Sequence, residues 1–454
     1  MLIRFMLKNI YSFGEEKEFN MIPAPRFTRL KEHKYQKCGI EILKMASFYG
    51  ANGAGKSNLI RALDFLRKIV VQGSLPSSMA IRRMKHFHSF KESMFLAVEF
   101  ISNDTPYVYG IEIGEKAVLK EELYISGLGK EKDELVFERS TESDKQNLKF
   151  SKELLKNDKI RLLKDILEKN LIKQNRTALK IISELDDELF IDAGNAFRWF
   201  NKKLMIITPE INLEGALADV LDTNDLFNEF VQQTLESFGL GIKKLVTIKK
   251  PVEEFFGEDN KTDMEALLNE VAKSPHAIKR FYTSEGDPVI VLEENGEVVA
   301  KQLKTEHENK EGETIQFDLS EESDGSRRLI DYLPFLILTL AGDNTFIIDE
   351  IERSIHPLLI KEIVEKFSTD NTTKGQIIFT THESNLLDQQ IFRQDEIWFV
   401  EKDSSGSSDL YSLCEFKEHN TKDIRKGYLN GRYGSIPFLA NLKDLNWGND
   451  DFRK

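Results

Sequence analysis

A run of eight residues, Gly50 to Ser57, carries the clearest chemical signal in the sequence. It reads GANGAGKS and fits the pattern GxxxxGK[ST], whose glycines let successive backbone N–H groups converge on phosphates. Lys56 supplies a positive charge to the β- and γ-phosphates, and Ser57 supplies a ligand to Mg²⁺. Chance gives this pattern only about 0.02 times in such a chain. We predict a nucleotide site formed by Gly50, Asn52, Gly53, Ala54, Gly55, Lys56, Ser57 and Asn58.

Two adjacent carboxylates, Asp349 and Glu350, follow the apolar segment TFII. At the end of a strand, Asp349 would hold Mg²⁺ opposite Ser57, and Glu350 would orient or deprotonate the attacking water. Neighbouring carboxylates on a solvated turn are common, so the pair alone is a weak signal. Its occurrence in the same chain as a phosphate loop favours a site of nucleotide hydrolysis.

A serine and a glycine, Ser323 and Gly325, precede an apolar helix predicted from Leu329 to Leu340. Ser323 has the position of an N-cap residue, which is one complete explanation for it. The other explanation is an anion site, in which Ser323 and the Gly325 backbone face a phosphate from a helix N-terminus. Both explanations remain open on the sequence alone.

A histidine, His382, follows the apolar segment QIIFT and closes the sequence Thr380-Thr381-His382. A single histidine is most often structural. His382, however, lies at the carboxyl end of a strand with the buried character of a parallel sheet, where such sheets bind their ligands. We predict that His382 lies at the ligand site, with Glu350 and Lys56, and the catalytic role expected of it comes from the resemblance described below.

The elements that position these residues are predicted from apolar spacing. A strand over 42–49 stops at Gly50, and Leu59, Ile60, Leu63, Leu66 and Ile69 recur at helical spacing after the loop. Further strands are predicted at 2–10, 15–22, 94–101, 107–113 and 118–125. From Ser323 onward helices alternate with near-continuous apolar strands at 345–349, 376–380 and 396–401. The fold class is therefore α/β with a mixed sheet and a β-rich lobe.

The middle of the chain differs in composition. A polar stretch near residue 128 leads into a charged helical region from about Lys152 to Leu189, followed by helices at 227–238 and 264–271 and a polar loop at 253–263. Strand-like runs return at 278–319, with a turn at Asn295 and Gly296. We predict an N-terminal ATPase lobe at 1–128, a mainly helical insertion with some strands at 129–310, and a C-terminal ATPase lobe at 311–454.

The composition of the 454 residues is that of a globular protein, with a formal net charge of -13. That charge argues against a nucleic acid or an anionic membrane attracting the whole molecule. The longest apolar stretch is far shorter than the ~20 residues of a membrane span, and we expect a cytoplasmic protein. The two cysteines, Cys38 and Cys414, cannot form a disulfide framework.

Taken in order, the phosphate loop, the SxG at Ser323, the FIIDE segment and the TTH at His382 resemble the ATPase heads of the ABC superfamily. The opening LKNIYSFGEEKEF is similar to the first strands of the SMC, RecF and OLD group. The segments NGAGKSNLIRAL, ESDGSRRL, DEIERSIHPLL, TTHESNLLD and YLNGRYGSIP resemble the single-chain ATPases of abortive-infection and phage-defence operons, such as the PARIS ATPase subunit. The resemblance spans residues 1–125 and about 310–440.

The resemblance implies a P-loop ABC-type head that binds ATP and Mg²⁺ and pairs head to tail around two nucleotides. Ser323 and Gly325 would then contact the γ-phosphate held by the other subunit, His382 would be the switch histidine, and residues 354–357 would form the loop that crosses the dimer interface. Three features depart from the pattern. Asp324 replaces a glycine, Tyr11 replaces a basic residue, and Gln72 lies too close to the first helix to serve as the Q-loop glutamine.

The resemblance further implies an ATP-hydrolysing sensor and scaffold of an anti-phage system that controls a separately encoded effector, expected to be a nuclease. The alternative is a RecF-like DNA-repair ATPase, which would need a basic surface. Lys152, Lys156, Lys159, Arg161 and the run from Lys243 to Lys250 could face DNA or a protein, such as a phage protein, although a solvated face is the favoured explanation. An OLD-type nuclease would need a metal cluster, which Asp403, Asp409 and Glu415 do not form recognisably.

Overall fold

A computed structural model gives the fold of the chain. The structure describes residues 1–89, 92–142, 145–185, 188–209, 214–252, 279–282, 287–294, 296–416, 418–419 and 422–436, together with residues 254, 268 and 271. The predicted loop at 253–263 and the predicted helix at 264–271 fall largely outside these residues, as does Asn295 of the predicted turn.

The strands of the described residues are numbered in chain order. They are β1 Leu2–Lys8, β2 Lys17–Asn20, β3 Lys34–Lys37, β4 Ile40–Leu43, β5 Met45–Tyr49, β6 Met94–Ser102, β7 Thr105–Ile113, β8 Val118–Ile125, β9 Glu134–Glu142, β10 Lys145–Phe150, β11 Leu204–Ile207, β12 Lys244–Pro251, β13 Lys279–Tyr282, β14 Pro288–Glu294, β15 Glu297–Glu308, β16 Thr314–Asp318, β17 Thr345–Ile348, β18 Gln376–Thr380, β19 Ile397–Lys402 and β20 Ser408–Ser412.

The α-helices of the described residues follow the same scheme. They are α1 Lys56–Gln72, α2 Ser78–Met84, α3 Asp158–Ile166, α4 Ala178–Ser183, α5 Ile191–Arg198, α6 Glu214–Thr223, α7 Asp225–Phe238, α8 Asp324–Ala341, α9 Pro357–Thr369 and α10 Ile424–Leu429. Two π-helical turns, Leu167–Leu171 and Trp199–Lys203, continue α3 and α5.

A six-stranded sheet, which we call the core sheet, carries the predicted nucleotide elements. Its order is β11-β17-β18-β5-β19-β20, and its pairs are parallel apart from the antiparallel pair β19 and β20. Strands β5, β17 and β18 are buried along their whole length, because both faces of the sheet are covered. The carboxyl ends of β5, β17 and β18 therefore lie side by side at one edge.

The two faces of the core sheet belong to different apolar clusters. Phe48 of β5 points into a cluster with α1 and the N-terminal strands, whereas Tyr49 points into a cluster with α8 and α9. This alternation follows from the two-residue period of a strand. The core sheet is thus the middle layer between α1 on one face and α8 with α9 on the other.

A second, seven-stranded antiparallel sheet forms the predicted β-rich lobe. Its order is β10-β9-β8-β7-β6-β1-β2. The predicted boundary at residue 128 falls between β8 and β9, which are hydrogen-bonded neighbours in this sheet. Strand β11, also from the predicted insertion, is the edge strand of the core sheet beside β17. Parts of residues 129–310 are therefore built into both ATPase sheets.

A third sheet belongs to the predicted insertion, with the order β12-β15-β14-β13 and β16 paired to β15. Helices α6 and α7 cover it, and their apolar residues form one cluster with Ile330 and Leu333 of α8. The ammonium of Lys301 is fully buried between Asp219 and Asp222 of α6, at 2.8 and 2.7 Å. The insertion is thus packed directly on the helix that Ser323 begins.

Candidate nucleotide-binding site

The glycine loop connects β5 to α1 as the sequence predicts. The loop covers residues 50–55, and α1 begins at Lys56. Gly55 has φ 117°, a backbone conformation that side chains disfavour, and a Cβ there would also collide with the Ser408 hydroxyl. A Cβ on Gly50 would collide with the Val400 carbonyl of β19. These glycines allow the backbone to curl tightly above the sheet edge.

Lys56 folds back over this loop. Its Nζ donates to the carbonyl oxygens of Gly50 at 2.7 Å and Ala51 at 3.2 Å. Burial lowers the pKa of Lys56 to about 8, and the carboxylates of Glu352, Asp349 and Glu350 oppose that shift. Phosphate oxygens would stabilise the charged ammonium better than neutral carbonyls do.

Two serines brace the loop from the side opposite the carboxylates. The Ser408 hydroxyl lies 2.6 Å from the Ala54 carbonyl oxygen and 2.7 Å from the Ser12 hydroxyl. The Asn58 amide donates to the Ser12 hydroxyl at 2.9 Å. The N-terminal turn and the β19–β20 hairpin therefore hold the phosphate loop and the first turn of α1 in place.

The predicted carboxylate pair follows β17. Asp349 is buried, and its backbone N–H donates to the Ile207 carbonyl of β11 at 2.9 Å. The Thr380 hydroxyl at the end of β18 donates to Asp349 Oδ1 at 2.6 Å and accepts from the Glu350 N–H at 2.8 Å. Glu350 has φ 53°, a conformation rare for a residue with a side chain. A single threonine thus fixes both carboxylate residues.

His382 lies beside the phosphate loop, with its Nδ1 3.5 Å from Lys56 Nζ. Enclosure by neighbouring atoms lowers the pKa of His382, and the charge of Lys56 lowers it further. The His382 backbone N–H donates to Glu352 Oε1 at 2.6 Å. Among the described residues, Glu352 Oε2 is buried without a hydrogen-bond partner. One oxygen of Glu352 therefore holds the backbone at His382, and the other can still accept a hydrogen bond inside the site.

One cleft of about 670 Å³ brings most of the predicted residues together. It is lined by Ala51, Asn52, Gly53, Gly55, Lys56, Ser57, Asn58, Arg61, Glu350, Glu352, Arg353 and His382. Gly50, Ala54 and Asp349 are not among the lining residues. Of the two predicted metal ligands, Ser57 lines the cleft, and the Asp349 carboxylate accepts from Thr380 at the end of β18, the strand between β17 and β5.

Three lining residues were not predicted from the sequence: Arg61, Glu352 and Arg353. Arg61 lies four residues after Ser57, so helical spacing could have placed it on the cleft side of α1. Glu352 and Arg353 follow the irregular turn after β17, where no period applies. Nothing in the local sequence indicates that the Glu352 carboxylate returns to the backbone of His382.

Ser323 and Gly325 lie outside this lining. Ser323 is exposed and is the N-cap of α8, where its hydroxyl accepts from the Ser326 N–H at 3.1 Å, so the N-cap interpretation is confirmed. A Cβ on Gly325 would lie 2.7 Å from the Ser354 carbonyl oxygen. The start of α8 therefore touches the turn that follows the Asp349–Glu350 pair.

The family described as AAA domain, putative AbiEii toxin, Type IV TA system matches residues 45–388, more than half of the chain. The chain belongs to this family. The match runs from the first residue of β5 to beyond His382, so it includes every residue of the cleft. No curated protein matches the chain.

Solved structures of SMC heads are similar over most of their length. The SMC head bound to the C-winged helix domain of ScpA is 11% identical, with a TM-score of 0.40, and the match covers 90% of this chain and 97% of that one. The Thermotoga maritima SMC head is 12% identical, with a TM-score of 0.36, and the match covers 90% of this chain and 98% of that one. A third structure is the Smc head with an extended coiled coil bound to the C-terminal domain of ScpA, derived from Pyrococcus furiosus. It is 13% identical, with a TM-score of 0.37, and the match covers 95% of this chain and 98% of that one.

The prediction of an ATPase head is confirmed at the level of this AAA-domain family, and the α/β fold with a β-rich lobe is confirmed as well. Tyr11, which replaces the basic residue of the family pattern, has φ 51° and lies near Arg61. Gln72 is exposed at the last position of α1, a helix length away from the phosphate loop. It therefore lies outside the cleft.

Three carboxylates near the C-terminal end of this AAA-domain protein, which a nuclease site could use, have local partners. Asp403 accepts from the Ser405 and Ser407 N–H groups of its own turn, Asp409 pairs with Lys17, and Glu415 accepts from the Ser412 N–H. The described residues include no group of three or more His, Cys, Asp or Glu side chains that could hold a metal ion. The same residues include no helix long and apolar enough to cross a membrane.

Several of the basic residues considered for DNA binding are paired with acidic neighbours. On the segment around α3, Lys156 pairs with Glu153, and Arg161 with Asp158. On β12, Lys249 pairs with Glu294. Such pairs are typical of a solvated face and reduce the local positive potential.

Proposed function

We propose that this chain binds ATP with Mg²⁺ and hydrolyses it in a head-to-tail dimer. The observation that supports this most directly is the single cleft that unites Lys56 and Ser57 with Glu350 and His382. A triphosphate on the loop would place its γ-phosphate next to the carboxylates that follow β17 and next to His382 after β18. Glu350 would act as the general base that activates the attacking water.

The donor set fits Mg²⁺. A hydroxyl from Ser57 and a carboxylate from Asp349 are oxygen ligands of the kind that Mg²⁺ takes together with phosphates and waters. The bound ion would neutralise charge on the β- and γ-phosphates. Thr380 orients Asp349 at 2.6 Å, so one ligand is already fixed in position. The Thr380 hydroxyl also accepts from the Glu350 backbone N–H, which fixes the backbone of the proposed general base.

The dimer is supported by the position of the α8 start. Ser323 and Ser354 are exposed, and Leu358 is 67% exposed although it is apolar. None of the three lines the cleft of its own chain. In a head-to-tail pair, Ser323 and the N-terminus of α8 would complete the γ-phosphate site of the other copy. Leu358 would then be covered.

Complementation between two inactive variants tests this arrangement. Lys56→Ala removes the phosphate lysine of a chain, and Ser323→Asp places a carboxylate where the partner's phosphate is expected. Aspartate is a good N-cap residue, so α8 keeps its cap. Each variant alone is expected to release no phosphate from ATP.

Mixed dimers of these variants contain one intact composite site and one doubly damaged site. An equimolar mixture is therefore expected to recover about one quarter of the wild-type rate, if the two sites act independently. If the folded variants recover nothing together, or if Ser323→Asp alone is active, the shared site is wrong. Glu350→Gln should keep ATP bound, hydrolyse none and accumulate the dimer on a sizing column.

We further propose that this cycle serves an anti-phage system, with the chain as a cytoplasmic sensor and scaffold for a separate effector, expected to be a nuclease. The family description, which names a putative toxin of a toxin–antitoxin system, supports a role in growth arrest. The acidic net charge and the paired basic side chains disfavour the RecF-like alternative.

A further inference from the structure

The order of the core sheet gives a direction to a nucleotide bound in the cleft. The carboxylates lie on the β17 and β18 side of β5, whereas β19 and β20 lie on its other side. A γ-phosphate beside Glu350 therefore directs the nucleoside toward the β19–β20 hairpin. On that side the cleft continues along α1 through Asn58 to Arg61.

An exposed aromatic side chain stands on this nucleoside side. Phe87 follows α2, and its ring is 68% exposed. The ring packs against Gly406, at the tip of the β19–β20 hairpin, where a Cβ would lie 3.3 Å from Phe87 Cζ. The same hairpin carries Ser408, which braces the phosphate loop at Ala54. Phe87 thus packs on the same hairpin that contacts the phosphate loop.

The neighbouring histidine fixes the position of Phe87. The centroids of the His86 and Phe87 rings are 4.2 Å apart. His86 Nδ1 lies 3.2 Å from the Tyr11 carbonyl oxygen, and a Cβ on Gly14 would touch the His86 ring at 2.8 Å. The N-terminal turn that carries Ser12 therefore holds the histidine, and the hairpin holds the phenylalanine.

The backbone of this segment is unfavourable for its residue types. Phe87 has φ 44° and His88 has φ 56°, two consecutive left-handed residues of which neither is glycine. The local fold therefore keeps a strained turn whose result is an apolar ring facing solvent. A flat aromatic ligand on that ring would remove it from water and stack on it.

We propose that Phe87 is the stacking platform for the purine base of the nucleotide, with His86 as its positioning residue. This inference rests on the proposed function, because it requires the phosphates to occupy the loop at Lys56. Stacking on an aromatic side chain tolerates different bases. The platform therefore takes purine nucleotides as a class, and the phosphate loop supplies the rest of the affinity.

Titration calorimetry with two probes separates the base from the phosphates. The probes are ATP and inorganic tripolyphosphate, each with Mg²⁺, titrated into the full chain. Phe87→Ala is expected to weaken ATP binding by about ten-fold, the usual size of a lost base–aromatic stack, and to leave tripolyphosphate binding unchanged. Phe87→Trp should retain ATP affinity. Met79→Ala, which truncates a 65% exposed side chain of the adjacent α2, is the matched control and should change neither.

The outcomes distinguish this inference from the proposed function. Unchanged ATP affinity in Phe87→Ala would overturn the platform and leave the phosphate site standing. An equal loss for both probes would also overturn it, because Phe87 would then act through the phosphate loop. If the wild-type chain binds neither probe, the proposed function fails and the platform fails with it.

Discussion

Lys56 is a residue at which burial and charge oppose each other. The residue is 5% exposed, and its ammonium donates to two carbonyl oxygens of its own loop, with carboxylates nearby. Neutral carbonyls compensate a buried charge incompletely, which is why the pKa falls to about 8. A triphosphate would supply the missing negative charge. The residue is thus poised for an anionic ligand before any ligand arrives.

Lys56→Ala is expected to weaken ATP binding by about ten- to hundred-fold, the value of one charge-assisted hydrogen-bonding group. Lys68→Ala on the same helix is the control, because Lys68 is exposed and pairs with Asp64, away from the phosphate loop. Equilibrium titration of both variants measures the effect. Equal ATP affinity in Lys56→Ala and wild type would refute the phosphate assignment.

The lowered pKa of Lys56 also predicts a pH dependence. In the free protein Lys56 loses its proton as the pH rises through about 8, whereas bound phosphates favour the charged form. ATP affinity should therefore be constant well below pH 8 and fall as the pH rises through about 8, with proton uptake on binding near and above that pH. Lys56→Arg keeps its charge throughout this range and should show no such fall. Titrations in buffers of different ionisation enthalpy would detect the proton.

At the scale of elements, the sequence predicted best the parts whose burial is complete. Strands β5, β17 and β18 are continuous apolar runs buried on both faces, and α1 and α8 carry clear helical spacing, so their positions followed from periodicity. The glycine loop was predictable from its pattern alone. The N-cap role of Ser323 followed from its place before α8.

Other elements carried too little local signal. Strands β9 and β10 are polar on their exposed face, so their sequence predicts a polar stretch before a helical region. Strand β11 has only four residues and becomes a strand by pairing with β17, a long-range contact. The sequence of strand β12, KLVTIKKP, indicates a basic patch, although its Leu245 is buried under α7. In each case tertiary pairing, not local preference, decided the structure.

Gly325→Ala tests the contact between α8 and the turn after β17. The added Cβ would lie 2.7 Å from the Ser354 carbonyl oxygen, so one of the two segments must move. We expect ATP binding to be unchanged and hydrolysis to fall by about ten-fold or more, because small misplacements of catalytic elements are costly.

Gly194→Ala is the matched control, since a Cβ on Gly194 in α5 has no atom within 4 Å. Phosphate release and ATP affinity should be measured on both variants. Normal turnover by Gly325→Ala would mean that the start of α8 and this turn do not act together in hydrolysis.

At the scale of the whole molecule, the insertion and the nucleotide site are connected through α8. Apolar residues of α6 and α7 pack on Ile330 and Leu333, and the same helix begins at Ser323. Opposite this packing, Tyr332 donates to the Ile351 carbonyl beside the Asp349–Glu350 pair at 2.8 Å. A movement of α8 when two heads close would therefore reach the insertion directly. We therefore propose the insertion as the surface that binds a partner.

The last prediction concerns what the chain does alone. The carboxylates that line the cleft are assigned to the nucleotide, and Asp403, Asp409 and Glu415 have local partners. We expect the purified chain with Mg²⁺ and ATP to leave plasmid DNA intact, and its expression alone to leave growth and phage infection unchanged. Toxicity should appear only with a partner from the native operon that co-purifies with the chain. The partner should no longer co-purify when the surface of α6 and α7 is altered.

Lys56→Ala and wild type should be compared in every assay. Growth arrest by the chain alone that disappears in Lys56→Ala would make the chain itself the toxin, and metal-dependent cutting that survives Lys56→Ala would indicate a nuclease site apart from the cleft.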